Sequence, residues 1–307
     1  MDLLHNTNSA TLAALNLEPK DSTGYYSFGG IAFATFATAT GSHSFNIRLA
    51  NETATGTSRA KDNAITALKL STADQFRESL TAVTTTATVD YQAVATFSLT
   101  PSATGNFLIF AGVDMLPAIN TSTQSQPEIR LQGATYYGVA TREGKSVSDS
   151  TTVRPWQSMV QLALTASQWD FSIDVLGATT SLTMTRNHRF LALRMDGFEL
   201  ADYGENLTGN LVTTTSSATI STLSATTATK DYLVLGTVLT SRSNLTDDTI
   251  TEFWEDSTLQ IQHNEEQFLG DNTHPNMISY TKTFTAGTKA FKWSVYGEAA
   301  GGFTRYD

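Results

Sequence analysis

Short runs in which apolar and polar residues alternate recur along the chain. Phe171, Ile173 and Val175 alternate with Ser172, Asp174 and Leu176, a period close to two. Successive side chains of a strand point to opposite faces, so this period predicts a strand with one face in a core. Met159, Gln161, Leu162 and Leu164 precede a small polar turn that leads into the Phe171 run, and the pair predicts a hairpin. Long helical patterns are lacking. Residues 73–81 form the one candidate, a short helix with Asp74 near its start, placed as a linker between units.

The strand patterns repeat. The segment from Thr165 to Gly177 is similar to that from Thr285 to Gly297, in a frame that matches Phe171 with Phe291 and Pro155 with Pro275. A third copy runs from Thr38 to Leu49 and contains Phe45 and Ile47. Residues 106–112 parallel 231–236, 128–132 parallel 258–262, and 189–195 parallel 64–70. Repeats at this spacing, built of short strands, predict an all-β chain of tandem antiparallel β-sandwich or jelly-roll units. Residues 1–74 read as a partial β unit of closing strands. Residues 75–203 read as a complete sandwich, and 204–307 as a sandwich that lacks its closing strand. The first segment is a small independent sheet, or it completes the last unit, within one chain or between two.

The chain has 307 residues, enough for two or three units that each bury their own core. Charged residues make up 16%, below the ~25% of typical soluble domains. Ser and Thr take their place, and Thr suits a pleated surface. The net charge of −10 repels phosphate backbones and anionic lipid, so neither nucleic acid nor membrane insertion is expected. There is no cysteine, which excludes disulfides and thiolate metal sites and is compatible with a reducing cytoplasm. The first residues carry no cationic stretch with an apolar run, so no secretory leader is expected.

Candidate chemistry is sparse. His5, His43, His188, His263 and His274 show no metal-ligand spacing, and His43 and His188 read as surface turn residues. Residues 244–248 and 263–266 read as solvated acidic loops without a calcium-loop pattern. Glu128, Asp174, Glu255 and Glu298 are the carboxylates from which a glycosidase pair would have to come. Asp174 has Ser294 and Arg48 as repeat counterparts, which reads as the outward face of a strand. Nucleophile elbow, phosphate loop and dinucleotide fingerprint are all missing, so no catalytic residue, cofactor or metal is expected. The triplets at Asn51, Asn120, Asn206 and Asn244 are chance products of a Thr-rich chain. Among the aromatics, Trp293 shares a face with Phe291 and reads as core. Tyr136, Tyr137 and Trp254 fall near predicted loops and are the candidate ligand or partner contacts.

The apolar opening strands (107–110, 232–235), the second strands (129–131, 259–261), the Thr-Ala-Gly-Thr turn into a Phe-x-Trp-x-Val strand and the closing Leu-Ala-Leu-Arg-Met strand resemble structural proteins of tailed bacteriophage virions. The resemblance implies head decoration, fibre or tail assembly in a host cytoplasm, no enzymatic activity, other virion proteins as partners, and a homo-oligomer. It carries over no functional residue. A carbohydrate-binding adhesin or receptor-binding module is the alternative.

Overall fold

The computed structural model describes residues 2–5, 10–14, 42–50, 65–68, 70, 74–85, 90–117, 124–131, 135–137, 142–143, 154–177, 183–197, 210–242, 249–265, 272–298 and 304–306. The first sheet holds β1 (Asp2–His5), β2 (Ala10–Ala14) and β3 (Phe45–Arg48) in the order β2-β1-β3. The middle unit holds β4 (Gln75–Ser79), β5 (Val83–Thr85), β6 (Gln92–Leu99), β7 (Gly105–Pro117), β8 (Gln124–Leu131), β9 (Thr135–Tyr137), β10 (Arg142–Glu143), β11 (Arg154–Leu164), β12 (Trp169–Gly177) and β13 (Thr183–Arg194). The last unit holds β14 (Asn210–Val212), β15 (Ala218–Thr227), β16 (Lys230–Arg242), β17 (Thr249–Glu255), β18 (Thr258–Glu265), β19 (Asn272–Phe284), β20 (Gly287–Gly297) and β21 (Thr304–Tyr306).

The middle unit is a jelly roll. One sheet runs β11-β7-β13-β4, with β5 also on β13, and the other runs β10-β8-β12-β6, with β9 on β8. With β4 and β5 counted as one split strand, and β9 and β10 as another, the sheets read first-eighth-third-sixth and second-seventh-fourth-fifth. The last unit repeats the plan as β14-β21-β16-β19 and β15-β20-β17-β18. The fold class expected from periodicity is therefore the one observed, but β11 and β12 are not the expected hairpin: β11 pairs with β7 and β12 with β6 and β8, so the turn between them crosses from one sheet to the other.

Register corrects several finer expectations. Residues 75–79 are strand, not helix: β4 pairs with β13 from Gln75 opposite Ala192 to Ser79 opposite His188. A lone helical turn is marginal in water, whereas a sheet edge offers this segment a full ladder. Ile173 faces Ile129 on β8 as Trp293 faces Phe253 on β17, so β8 corresponds to β17 and not to residues 258–262. The last roll has a three-residue strand in part of the closing place, and none of the described residues stands where Leu191–Met195 lies in the middle roll. β21 sits against Thr240–Arg242 where β13 places Thr183–Thr185 against Met115–Pro117. Residues 65–68 and 70 lie outside any strand, although their pattern copies the closing strand.

The first sheet is also a roll fragment. Leu3 on β1 faces Ile47 on β3, as Phe253 faces Trp293, and the irregularity after Leu3 recurs after Phe253. β2, β1 and β3 thus duplicate the places of β18, β17 and β20, which the last roll already fills.

Two cores lie between the paired sheets. In the middle roll Phe107, Ile109, Trp156, Phe171, Ile173 and Phe190 are at most 1% exposed. Phe97 and Phe190 stack across the sheets with centroids 5.3 Å apart. In the last roll Phe253 meets Trp293 edge-on at 4.9 Å, and Phe284 meets Phe291 at 6.0 Å. A third cluster joins the rolls: Leu108, Phe110, Leu191 and Leu193, on the outer face of β7 and β13, receive Leu235 of β16 and Leu70. Ser279 of β19 donates a hydrogen bond to Thr66 at 2.9 Å, which seats the connecting segment at the same joint.

The two cores differ by an exchange of volume. Ile173 in the middle roll becomes Trp293 in the last, and Ala111 becomes Gly236. A Cβ at Gly236 would stand 3.2 Å from the Trp293 ring and 3.2 Å from Ile278. Gly236→Ala is therefore expected to destabilise the last roll by about 1–3 kcal/mol through overpacking. Adding Trp293→Ile should recover part of the loss. Urea titration of the single and double variants measures the coupling, and strictly additive effects would contradict the size exchange.

Candidate functional site

Inward residues of β17 and β20 define what points outward. Phe253, Trp293 and Val295 lie in the core, so Glu252, Trp254, Lys292, Ser294 and Tyr296 stand on the outer face of their sheet. Glu252 is only 5% exposed there. Its Oε2 accepts hydrogen bonds from Ser217 Oγ at 2.8 Å and Trp254 Nε1 at 3.0 Å. Its Oε1 accepts from Tyr296 Oη at 3.3 Å and Gln262 Nε2 at 3.4 Å. Gln262 Nε2 also donates to Tyr296 Oη at 3.1 Å. Burial, the Glu252 charge and the hydrogen bond to Glu252 raise the Tyr296 pKa, opposed by the bond from Gln262, so the phenol remains a donor. Lys292 Nζ lies 4.7 Å over the Trp254 ring, and Ser294, opposite Glu252 in the ladder, is fully buried with an unpaired Oγ.

The matching face of the middle roll is built differently. Arg130 occupies the place of Trp254, forms an ion pair with Asp174 at 3.3 Å and lies 5.2 Å over the Tyr91 ring. Asp174 is on the outward side, as expected, but 6% exposed, and its Oδ1 has no hydrogen-bond partner. On the inward side of the last roll, Glu255 takes Lys282 Nζ at 2.7 and 2.9 Å and Tyr280 Oη at 3.3 Å. Burial and the Glu255 charge raise the Tyr280 pKa. Glu255 is thus committed to an inter-sheet ion pair, Asp174 belongs to the other roll, Glu298 is exposed, and the Glu128 side chain lies outside the described residues. Asp174 stands opposite Glu128 in the ladder of β12 and β8, and Glu255 and Glu298 belong to the last roll. Among the described residues no three His, Asp or Glu gather as a metal site would need, and no helix is long and apolar enough to cross a membrane.

Of the three candidate contacts, Trp254 is half-buried in β17, two residues before the turn at Asp256. Tyr136 and Tyr137 belong to β9 opposite Arg130 and Ile129, and their side chains lie outside the described residues. Nothing brings them to Trp254. Reading the sequence alone missed Glu252, Ser217, Gln262, Lys292 and Tyr296. The signal was available in the i, i+2 spacing of Glu252 and Trp254 around an inward Phe253. Residues 263–265 are strand and not an acidic loop, and 244–248 lie outside the described residues.

His188 is not a surface turn residue. The Arg186–Arg189 stretch is an irregularity within β13, with Asn187 at φ 54°, and it turns His188 inward to 1% exposure. His188 Nε2 lies 2.9 Å from Thr185 Oγ1. Burial lowers its pKa below 6.5, opposed by a backbone hydrogen bond at Ser79. Asn187 Nδ2 donates to Asp114 Oδ2 at 2.7 Å, and burial raises the Asp114 pKa above 3.8.

No protein-family model and no curated protein matches the chain. Among solved structures it is similar to the N-terminal CBM22-1–CBM22-2 tandem domain of Paenibacillus barcinonensis Xyn10C, at 10% identity over 76% of this chain and 89% of that one, TM-score 0.26. It is also similar to the T=3 Penaeus vannamei nodavirus, at 11% identity over 85% and 98%, TM-score 0.16. Neither likeness is close enough to carry function.

The folded imidazole of His188 binds its proton more weakly than the unfolded one. Its contribution to stability is full above pH 6.5 and is lost as pH falls from that value through the lower folded pKa. Asp114, with its raised pKa, has the opposite sign and acts nearer 3.8. The urea midpoint is expected to drop between about pH 7 and pH 5, and His188→Gln to flatten that slope. An unchanged slope in the variant would assign the acid sensitivity elsewhere.

Proposed function

We propose that the chain is a non-catalytic structural component of a tailed-phage virion, acting through protein–protein interfaces that include contacts between its own copies. The observation that supports this most directly is the state of one repeated face. Phe171, Ile173 and Val175 in the middle roll are 1%, 0% and 0% exposed, and Phe291, Trp293 and Val295 in the last are 7%, 7% and 0%. The same positions of the first sheet are Phe45, Ile47 and Leu49. The first two are only half-buried, and Leu49 is 40% exposed.

An apolar sheet face is stable only under a second layer. Among the described residues the four sheets of the two rolls are each closed over their own core. Ile65 at 44% and Leu68 at 38% add exposed apolar surface in the segment that follows. Surface of this kind marks an interaction site. The joint between the two rolls shows that this chain uses outer sheet faces as apolar contacts. The low charge, the absence of cysteine and the resemblance of the strand pattern to virion proteins agree with the reading.

Light scattering of the purified chain across a concentration series tests it. Oligomers that grow in with concentration are expected, and Phe45→Ser with Leu49→Ser should shift them towards monomer while leaving the melting of the two complete cores unchanged. A wild-type monomer at every concentration would contradict self-association.

A further inference from the structure

We propose that the outer face of β17, β18 and β20 in the last roll binds a neutral saccharide, with Trp254 as the stacking ring, Gln262, Tyr296 and Lys292 as its polar surround, and Glu252 as the positioning residue beneath. The inference does not depend on the assembly reading, because this face is on the opposite side of the sheet from the core and remote in sequence from Phe45 and Leu49.

The face is costlier than a structural surface requires. A solvent-side position on a sheet is cheaply filled by Thr, as Thr219 and Thr222 on neighbouring β15 show by their exposure. Glu252 is a carboxylate withdrawn from water, and the four groups that hydrogen-bond to it are neutral: a hydroxyl, an indole, an amide and a phenol. Burial of a charge without a counter-ion opposes folding. Local breaches of economy of this kind concentrate at functional sites. Ser294 adds a second one, a hydroxyl without a partner directly across the ladder from Glu252.

What the network does is hold side chains still. Trp254 is fixed through its Nε1, Tyr296 through its Oη, and Gln262 through its Nε2. Immobilised aromatic and amide groups lose little entropy on binding. Gln262 retains its carbonyl oxygen as an acceptor. A flat ring beside fixed amide and phenol groups suits a sugar, which stacks the C–H face of its pyranose on an aromatic and offers paired hydroxyls at the edge. The net charge of −10 selects against anionic glycans. Lys292 covers the ring in the free protein through a flexible stem that can swing aside. In the middle roll the place of Trp254 is taken by Arg130, which forms an ion pair with Asp174.

The test is an array of neutral and N-acetylated oligosaccharides probed with the full chain, followed by calorimetric titration of the strongest hit. Binding by the wild type is expected, with Trp254→Ala weakening it at least about 100-fold and Trp254→Phe less, since the smaller ring still stacks. Glu252→Gln should weaken it about tenfold by releasing the ring and the phenol. Thermal melts control for folding, and Tyr296→Phe supplies a milder variant that removes one hydrogen bond and keeps the ring. No hit on the array, or affinity unchanged in Trp254→Ala, would overturn the proposal.

Discussion

Everything in this chain hangs on a sheet that is apolar on both sides. In β7 the residues Phe107 to Ala111 run without a polar interruption, and the neighbouring stretch of β13 from Phe190 to Leu193 does the same. Alternate side chains of these strands enter the core of the middle roll, and the others form the cluster at the joint with the last roll. A sheet of this composition cannot face water on either side. It therefore dictates the arrangement around it: one roll closes over its inner face, and the second roll and the connecting segment close over its outer one. The stacking of the rolls is thus a consequence of strand composition, and no specific lock between them is needed to explain it.

The parts of the fold that could be read from the sequence are those in which composition and periodicity agree. The alternation from Phe171 to Val175 identified β12, and its copies located β20 and β3. Residues 75–79 misled because their spacing fits one turn of helix as well as five residues of strand, and only the presence of an open edge on β13 decides. β17 escaped comparison with β8 because its apolar residue Phe253 lies between Glu252 and Trp254, and the repeat is carried by register and not by residue type. His188, flanked by Asn and Arg, has the composition of a turn. The irregularity in β13 that rotates it inward is invisible before pairing is known.

The same limit governs the functional face. Trp254 attracted notice as an aromatic, but Glu252, which fixes it, is itself held from three other places: Ser217 before β15, Gln262 on β18 and Tyr296 on β20. Charge in a sequence is conventionally read as exposure. Glu252, Glu255 and Asp174 each reverse that reading: all three are buried, Glu252 among donors of its own sheet face, Glu255 against Lys282 of the facing sheet and Asp174 beside Arg130. What identifies such residues is the parity of the strand, which places them, combined with the ladder, which names their neighbours.

The exchange of Ala111 and Ile173 for Gly236 and Trp293 has a meaning beyond packing. Tandem repeats with interchangeable parts are prone to trade strands between neighbours as they fold. Here a β20 that strayed into the middle roll would bring an indole against a methyl group, and a β12 that strayed into the last would leave a void beneath Gly236. The mismatch labels each strand with the roll to which it belongs. Divergence between the copies thus acts as an address, by which a chain of sheets with one shared plan sorts its own strands.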